Sequence, residues 1–310
     1  MVRSEGVAAV PRRRSWKRFV DRNYVLLMLL PSLVIMIGLF GGGLFSAVMQ
    51  SLGYFPLVGL TKLTLRYYVE LVTDSGFLRS LWFTFYVAAA STLIASVIST
   101  FVAVNMKRAT GGKWRLMMIY KLPLAVPYMI VIVMAIVTLS GGGILARVLY
   151  ALRIIQSTQD FPSLLYTSSG AGVIWVYVWK FVGFMTLSIY SVYVGINANL
   201  FDVARTLGAS TWRTFWHVTF PLLLPGIVSS SLICFAFSFG SFEVPLVLGP
   251  SFPNTLPVFA YVDYMNAAKY SLADVPLPMA TMVLTSVISV LVMLMYRNAS
   301  ERLKVIKGGR

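Results

Sequence analysis

The chain has 310 residues, 58% of them hydrophobic, a formal net charge of +16 and a mean hydropathy of +0.80. Soluble domains sit nearer about 45–50% apolar, so a water-soluble globular fold is excluded. The single cysteine, Cys234, allows no internal disulfide and reads as a small apolar filler.

A spanning helix needs about 20 predominantly apolar residues. Six windows meet that need in chain order: Tyr24–Val48, Leu81–Val104, Leu122–Leu139, Gly172–Gly195, Leu222–Phe242 and Val275–Tyr296, the fourth interrupted by Lys180. These runs are continuous and rich in Leu, Val, Ile and Met, without the alternation of a transmembrane strand. The expected fold class is therefore an all-α integral membrane protein with six transmembrane helices. The first run is longer than the roughly 7–15 apolar residues of a signal peptide, so no cleavage is expected there.

The segments between the spans have distinct characters. Residues 1–22 read as a basic tail ending in the interfacial cluster Trp16-Lys17-Arg18-Phe19, residues 23–297 as the membrane domain, and 298–310 as a second basic tail. Within 49–80, Leu65–Val72 has the pattern of a short amphipathic helix. Gly141-Gly142-Gly143 predicts that the third span ends or bends there. Pro245, Pro250, Pro253 and Pro257 predict irregular backbone through 243–274.

Charge placement sets the topology. Leaving aside Lys121 and Glu243 at the span ends, the two tails and the loops after the second and fourth spans hold 18 basic residues against four acidic ones; the other loops hold six against five. Positive loops stay in the cytoplasm, so both termini are expected inside. The basic surface is then a topology signal and not a nucleic-acid interface.

The 198–221 loop carries the sharpest motif. Asp202-Val203-Ala204 is followed by three residues, Gly208, nine residues and then Val218-Thr219-Phe220-Pro221. Asp202 suits the first turn of a short helix, Ala204 and Leu207 a close-packing face, and Gly208 a left-handed turn. A second helix, Thr211–Thr219, would follow, with Pro221 at the start of the fifth span.

This pattern resembles the EAA loop of ATP-binding-cassette (ABC) importer permeases, Glu-Ala-Ala-x3-Gly-x9-Ile-x-Leu-Pro. Gly208, Pro221 and Ala204 match outright, and Asp202, Val203, Val218 and Phe220 are conservative departures. The resemblance implies a MetI-like permease fold in the bacterial inner membrane. It makes the loop a coupling helix, with Asp202, Ala204, Arg205, Gly208 and Pro221 at the joint to an ATPase. It also implies the partners: an ATPase dimer that binds ATP and Mg, a second permease subunit, and an extracytoplasmic solute-binding protein, all set in lipid. The chain itself carries no G-x-x-x-x-G-K-[ST] phosphate loop. With one histidine, His217, it carries no paired-histidine metal motif; His217 reads as part of an aromatic cluster with Trp212 and Trp216.

Lys180 stands about two turns into the fourth span, and Glu243 ends the fifth. An ionisable group within a span defaults to a functional hypothesis. Two readings stand side by side: a buried Lys180–Glu243 ion pair on the translocation path, or Lys180 snorkelling among Trp175, Tyr177 and Trp179. Ser238–Gly249, Thr255–Val258 and Tyr261 are similar to polyamine-type permeases, a subgroup that extends to iron(III) and sulfate systems. Glu243, Tyr261, Asp263 and Tyr264 are candidate contacts for a cationic solute, whereas Lys180 would favour an anion. The competing class is an ion-coupled secondary transporter or channel, which needs ionisable residues deep in several spans. Only Lys180 and Lys121 qualify, and Lys121 sits near a membrane face.

Overall fold

A computed structural model describes residues 24–25, 28–108 and 121–308. The expected tail 1–22, with Lys113 and Arg115 of the loop after the second span, lies outside the described residues. Among the described residues the regular secondary structure is helical apart from one isolated bridge between Phe55 and Leu60.

Among the described residues, six helical stretches are long and apolar enough to cross a membrane. They are α1 (Met28–Ser51), α3 (Ser75–Arg108), α4 (Tyr128–Leu139) running on through a turn into α5 (Ile144–Ala151), α6 (Ala171–Val194), α8 (Thr211–Gly240) and α11 (Pro276–Gly308). Shorter helices lie between them: α2 (Arg66–Thr73), α7 (Asn199–Thr206), α9 (Glu243–Leu248) and α10 (Leu256–Tyr270). α7 joins α6 to α8 at one end of the bundle. α2, α5, α9 and α10 belong to the opposite end.

The bundle centre is α3, α6 and α8. On α3, Ser80, Thr84, Ala88, Ser91, Ala95, Ser99 and Ala103 are all buried to 1% exposure or less. Recurring every three or four residues, they form one face of small side chains. In a membrane, where lipid is as apolar as leucine, such faces let backbones approach and gain dispersion contacts. Ser99 Oγ crosses to α6 and donates to the Val182 carbonyl at 3.3 Å. Thr84 and Ser91 instead bond their own helix, to the carbonyls of Ser80 and Val87. Facing them, α6 buries Val173, Val176, Tyr177, Phe181, Met185 and Ile189. α1 packs on α11 and leaves most of its apolar surface uncovered.

Two expectations are corrected. The proline-rich 243–274 segment is mostly helical, because Pro245 and Pro257 fall in the first turns of α9 and α10, where no intrahelical N–H is required. Irregular backbone is confined to 249–255 and the extended Ser271, and the Thr84 hydroxyl of α3 receives the Leu256 N–H at 2.8 Å to cap α10. Second, no turn separates Thr211–Thr219 from the fifth span; the two form the single helix α8. A π-helical turn at Phe215–Thr219, closed by Phe220 N–H bonding the Phe215 carbonyl, shifts the ladder by one residue just ahead of Pro221. Such a turn lets a proline sit inside a helix without forcing it to end. The 298–310 tail continues α11 as helix to Gly308.

Candidate functional site

The motif loop is built from the end of α6 upward. Phe201 on α7 meets the Tyr193 ring edge-on at 6.1 Å, anchoring α7 to α6. Asn197 Oδ1 accepts the Asn199 N–H at 3.0 Å and satisfies one free donor at the start of α7. Asp202 lies in the first turn and pairs with Arg205 at 3.9 Å; both are exposed, so the pair is worth roughly 0.3–0.5 kcal/mol.

The far end of α7 is a Schellman cap. Gly208 N–H bonds the Arg205 carbonyl at 2.9 Å, and Ala209 N–H bonds that of Ala204 at 3.0 Å, with Gly208 at φ +76. Ser210 then caps α8, its Oγ accepting the Arg213 N–H at 3.3 Å. Trp212, Phe215, Trp216 and Phe220 form a chain of ring contacts that stiffens the base of α8. His217 is exposed, and its Nδ1 lies 3.0 Å from the Arg213 carbonyl.

One detail of the loop differs from expectation. Ala204 and Leu207 do not share a face: Ala204 is buried inward, while Leu207 is 81% exposed. The exposed apolar row of α7 is Leu200, Val203 and Leu207. Spacing alone permits this assignment; only the tethering of Phe201 to Tyr193 decides which way the helix turns.

Lys180 and Glu243 do not pair. Among the described residues, the ion pairs are Arg66–Glu70 and Asp202–Arg205. Nor does Lys180 snorkel, since its ammonium turns into the bundle and donates to the carbonyls of Pro123 and Val126, both at 2.7 Å. The third span is broken there, with helix at 121–125, a bend at Val126 and Pro127, and α4 beyond. In an unbroken helix the Pro123 carbonyl would take the N–H of residue 127, and that residue is a proline without one. The ammonium also lies 4.7 Å from the centre of the Tyr128 ring, a cation–π contact.

The break has other polar neighbours. The Tyr177 hydroxyl is fully buried beside Ser241, short of a well-formed hydrogen bond. Glu243 is exposed at the start of α9 and close enough to act electrostatically on the hydroxyls of Tyr128 and Tyr177. α9 packs against α4 and α6. Pro127 and Tyr128 escaped sequence reasoning, and Tyr177 entered it only as an interfacial aromatic, because a proline and two tyrosines carry no charge signal.

The remaining candidates divide between two places on α10. Tyr261 is exposed, with its ring edge-on to Phe242 at 4.8 Å, next to the junction of α8 and α9. Tyr264 is half-buried. Asp263 instead lines a polar cleft with Arg66, Glu70 and Asp274, away from Lys180. Burial, and secondarily the charge of Asp74, raises its carboxyl to about 6. Asp74 is itself held by the Phe77 N–H at 2.7 Å, capping the start of α3.

The sign of the resulting pH dependence follows from linkage. A carboxyl raised above its ordinary value of about 3.9 binds its proton more tightly in the folded state. The stability it contributes is complete below about pH 4 and is lost as pH rises through about 6. Asp263→Asn, which cannot ionise, is expected to melt at a higher temperature than the parent at pH 7–8, with the difference shrinking towards pH 4. Melting followed by intrinsic fluorescence in detergent checks this; parallel pH profiles for the two proteins would contradict it.

The arrangement defines a six-span helical permease with a braced loop projecting between its fourth and fifth spans. Residues 92–305 match the family described as binding-protein-dependent transport system inner membrane component, and the chain belongs to that family. It is thus a multi-pass inner-membrane protein and the permease subunit of an ABC importer. The molybdenum transport permease ModB of Escherichia coli K12 is 26% identical over 209 residues, 64% of this chain and 87% of its own length. ModB of Mycobacterium tuberculosis H37Rv is 28% identical over 197 residues, 62% of this chain and 71% of its own. In fold, the chain is similar to one chain of a bacterial alginate ABC transporter, solved in complex with an alginate pentasaccharide-bound periplasmic protein. That likeness has a TM-score of 0.74 at 20% identity, over 94% of this chain and 98% of the other.

Proposed function

We propose that the chain forms half of the path through which an ATP-driven importer admits a small solute delivered by an extracytoplasmic binding protein. The 198–221 loop is the joint to a separate ATPase subunit. The observation that carries this reading is the braced loop itself: α7 is tied to α6 through Phe201, capped at Gly208, and presents exposed Val203 and Leu207. Leucine and valine side chains left in water here would each gain about 1.5–3 kcal/mol on full burial in a partner groove. Asp202 and Arg205 flank that row and supply its polar rim.

In this reading both termini and the loop are cytoplasmic, ATP and Mg sit in the ATPase pair, and a second permease subunit completes the path. Closure of the ATPases moves α7 as a rigid body, and α6 and α8 carry the movement to the opposite end. The solute is small and charged. The relatives described as molybdenum permeases favour an anion over a polyamine-like cation, as does Lys180, which no carboxylate neutralises at ion-pair distance. Glu243, Tyr261 and Tyr264 stand at the opposite mouth, where the solute would enter.

Proteoliposomes containing the permease, its ATPase and its binding protein are expected to accumulate molybdate or sulfate only with ATP on the loop side. Accumulation of spermidine in its place would restore the polyamine reading. Accumulation driven by an ion gradient without nucleotide would overturn the assignment.

A further inference from the structure

We infer that Lys180 is a positioning residue for transport: its ammonium replaces the N–H that Pro127 lacks and so fixes the angle between the two halves of the third span. The inference rests on the permease reading and adds to it a specific hinge.

The physical case begins with two mutually costly groups. A carbonyl without a donor at membrane depth costs several kcal/mol, and Pro127 leaves Pro123 in that position. A lysine within a span is also costly unless its charge is met. Lys180 stands about 14 Å along α6, reckoned at 1.5 Å per residue, well inside a span that crosses a hydrocarbon core about 30 Å thick. Each group answers the other, through two charge-assisted bonds of 2.7 Å, shorter than an ordinary N–H···O bond. Tyr128, the first residue of α4, lays its ring against the same ammonium.

A straight helix has its interior carbonyls already bonded and would offer the ammonium no free acceptor. Lys180 is met only because the helix is broken at 126–127, so the lysine and the discontinuity support each other. The break adjoins a second one, since α8 ends at Gly240, α9 begins at Glu243, and α9 packs on both α4 and α6. Non-helical backbone at this depth belongs where protein covers it or a water-filled cavity adjoins it. With Lys180 holding both carbonyls, the 121–125 turn and α4 keep one relative orientation. Without it, they are free to swing or to straighten.

The test uses the full chain with Cys234→Ser and spin labels at Leu122→Cys and Val137→Cys, two exposed positions on either side of the break. In nanodiscs the otherwise unmodified protein is expected to give one narrow distance distribution, and Lys180→Met a broadened or displaced one. In the reconstituted importer, Lys180→Met is expected to lower uptake at least tenfold without loss of ATPase association, and Lys180→Arg to retain more. Pro127→Ala returns the missing N–H. The double variant Pro127→Ala/Lys180→Met should therefore recover melting temperature but not uptake. An unchanged distance distribution in Lys180→Met, or full uptake by the double variant, overturns the inference. Should the parent importer itself fail to use ATP, the permease reading falls, and the distance measurement still decides the role of Lys180.

Discussion

Gly208→Val is expected to abolish ATP-driven uptake, whereas Gly208→Asn keeps most of it. A Cβ at this position would meet nothing within 4 Å, so crowding is not the issue. The backbone is: φ of +76 lies in the left-handed region, which costs an ordinary L-residue roughly 1–2 kcal/mol, and a β-branched one is a genuine outlier there. Asparagine tolerates it. If valine forces the residue out of that region, the two capping bonds from Gly208 and Ala209 are lost and α7 no longer meets α8 at a fixed angle. The spans pack elsewhere, so the protein should still fold and insert. Uptake and co-purification with the ATPase measure the effect, and equal behaviour of the valine variant and the parent would remove the joint from the account.

Gly226→Leu is expected to prevent accumulation of folded protein. Gly226 is buried where α8 crosses α6, and a Cβ there would sit 2.8 Å from Val192 Cγ2 and 3.4 Å from Val192 Cβ. Valine is stiff at χ1 and cannot rotate away freely. Overpacking a tight contact costs about 1–3 kcal/mol, and leucine adds three more carbons than alanine would. Gly226→Ala should lower the melting temperature on its own, and Val192→Ala should restore part of it. A double-mutant cycle reads the coupling. Strict additivity of the two alanine changes would mean that α6 and α8 do not meet closely at this point.

The contrast between these two glycines shows which features were legible in the sequence. Gly208 announced itself through its place in a spaced motif. Gly226 lies inside an apolar run and gave no local signal, because its role is set by a valine on another helix. The six spans were legible because lipid imposes hydropathy on sequence directly. The break in the third span was half legible. Pro127 stands in plain view, but the donor that replaces its N–H comes from the next span, and Lys180 invited pairing with the nearest carboxylate by depth.

Misjudged boundaries have a common physical origin. Pro245 and Pro257 were read as breakers, yet both fall in the first turns of helices; Pro221, read as the start of the fifth span, is instead carried by a π turn inside a longer helix. Thr211–Thr219 was read as a second helix separate from the fifth span, although an amphipathic helix can run into a membrane span without interruption. Ala204 and Leu207 were read as one close-packing face but part, because four residues of helix carry no record of which face is tethered. On α10, Tyr261 and Asp263 are two residues apart and so point to different sides, which divides a set of candidates that sequence proximity had joined.

The most direct measurement places a photo-crosslinking amino acid at Leu207 in living cells. The side chain is 81% exposed at the tip of the loop, so the probe adds no strain. The account predicts a cross-link to the ATPase subunit whose yield changes when nucleotide is trapped. Cross-links only to lipid or to an extracytoplasmic protein, with uptake intact, would contradict it.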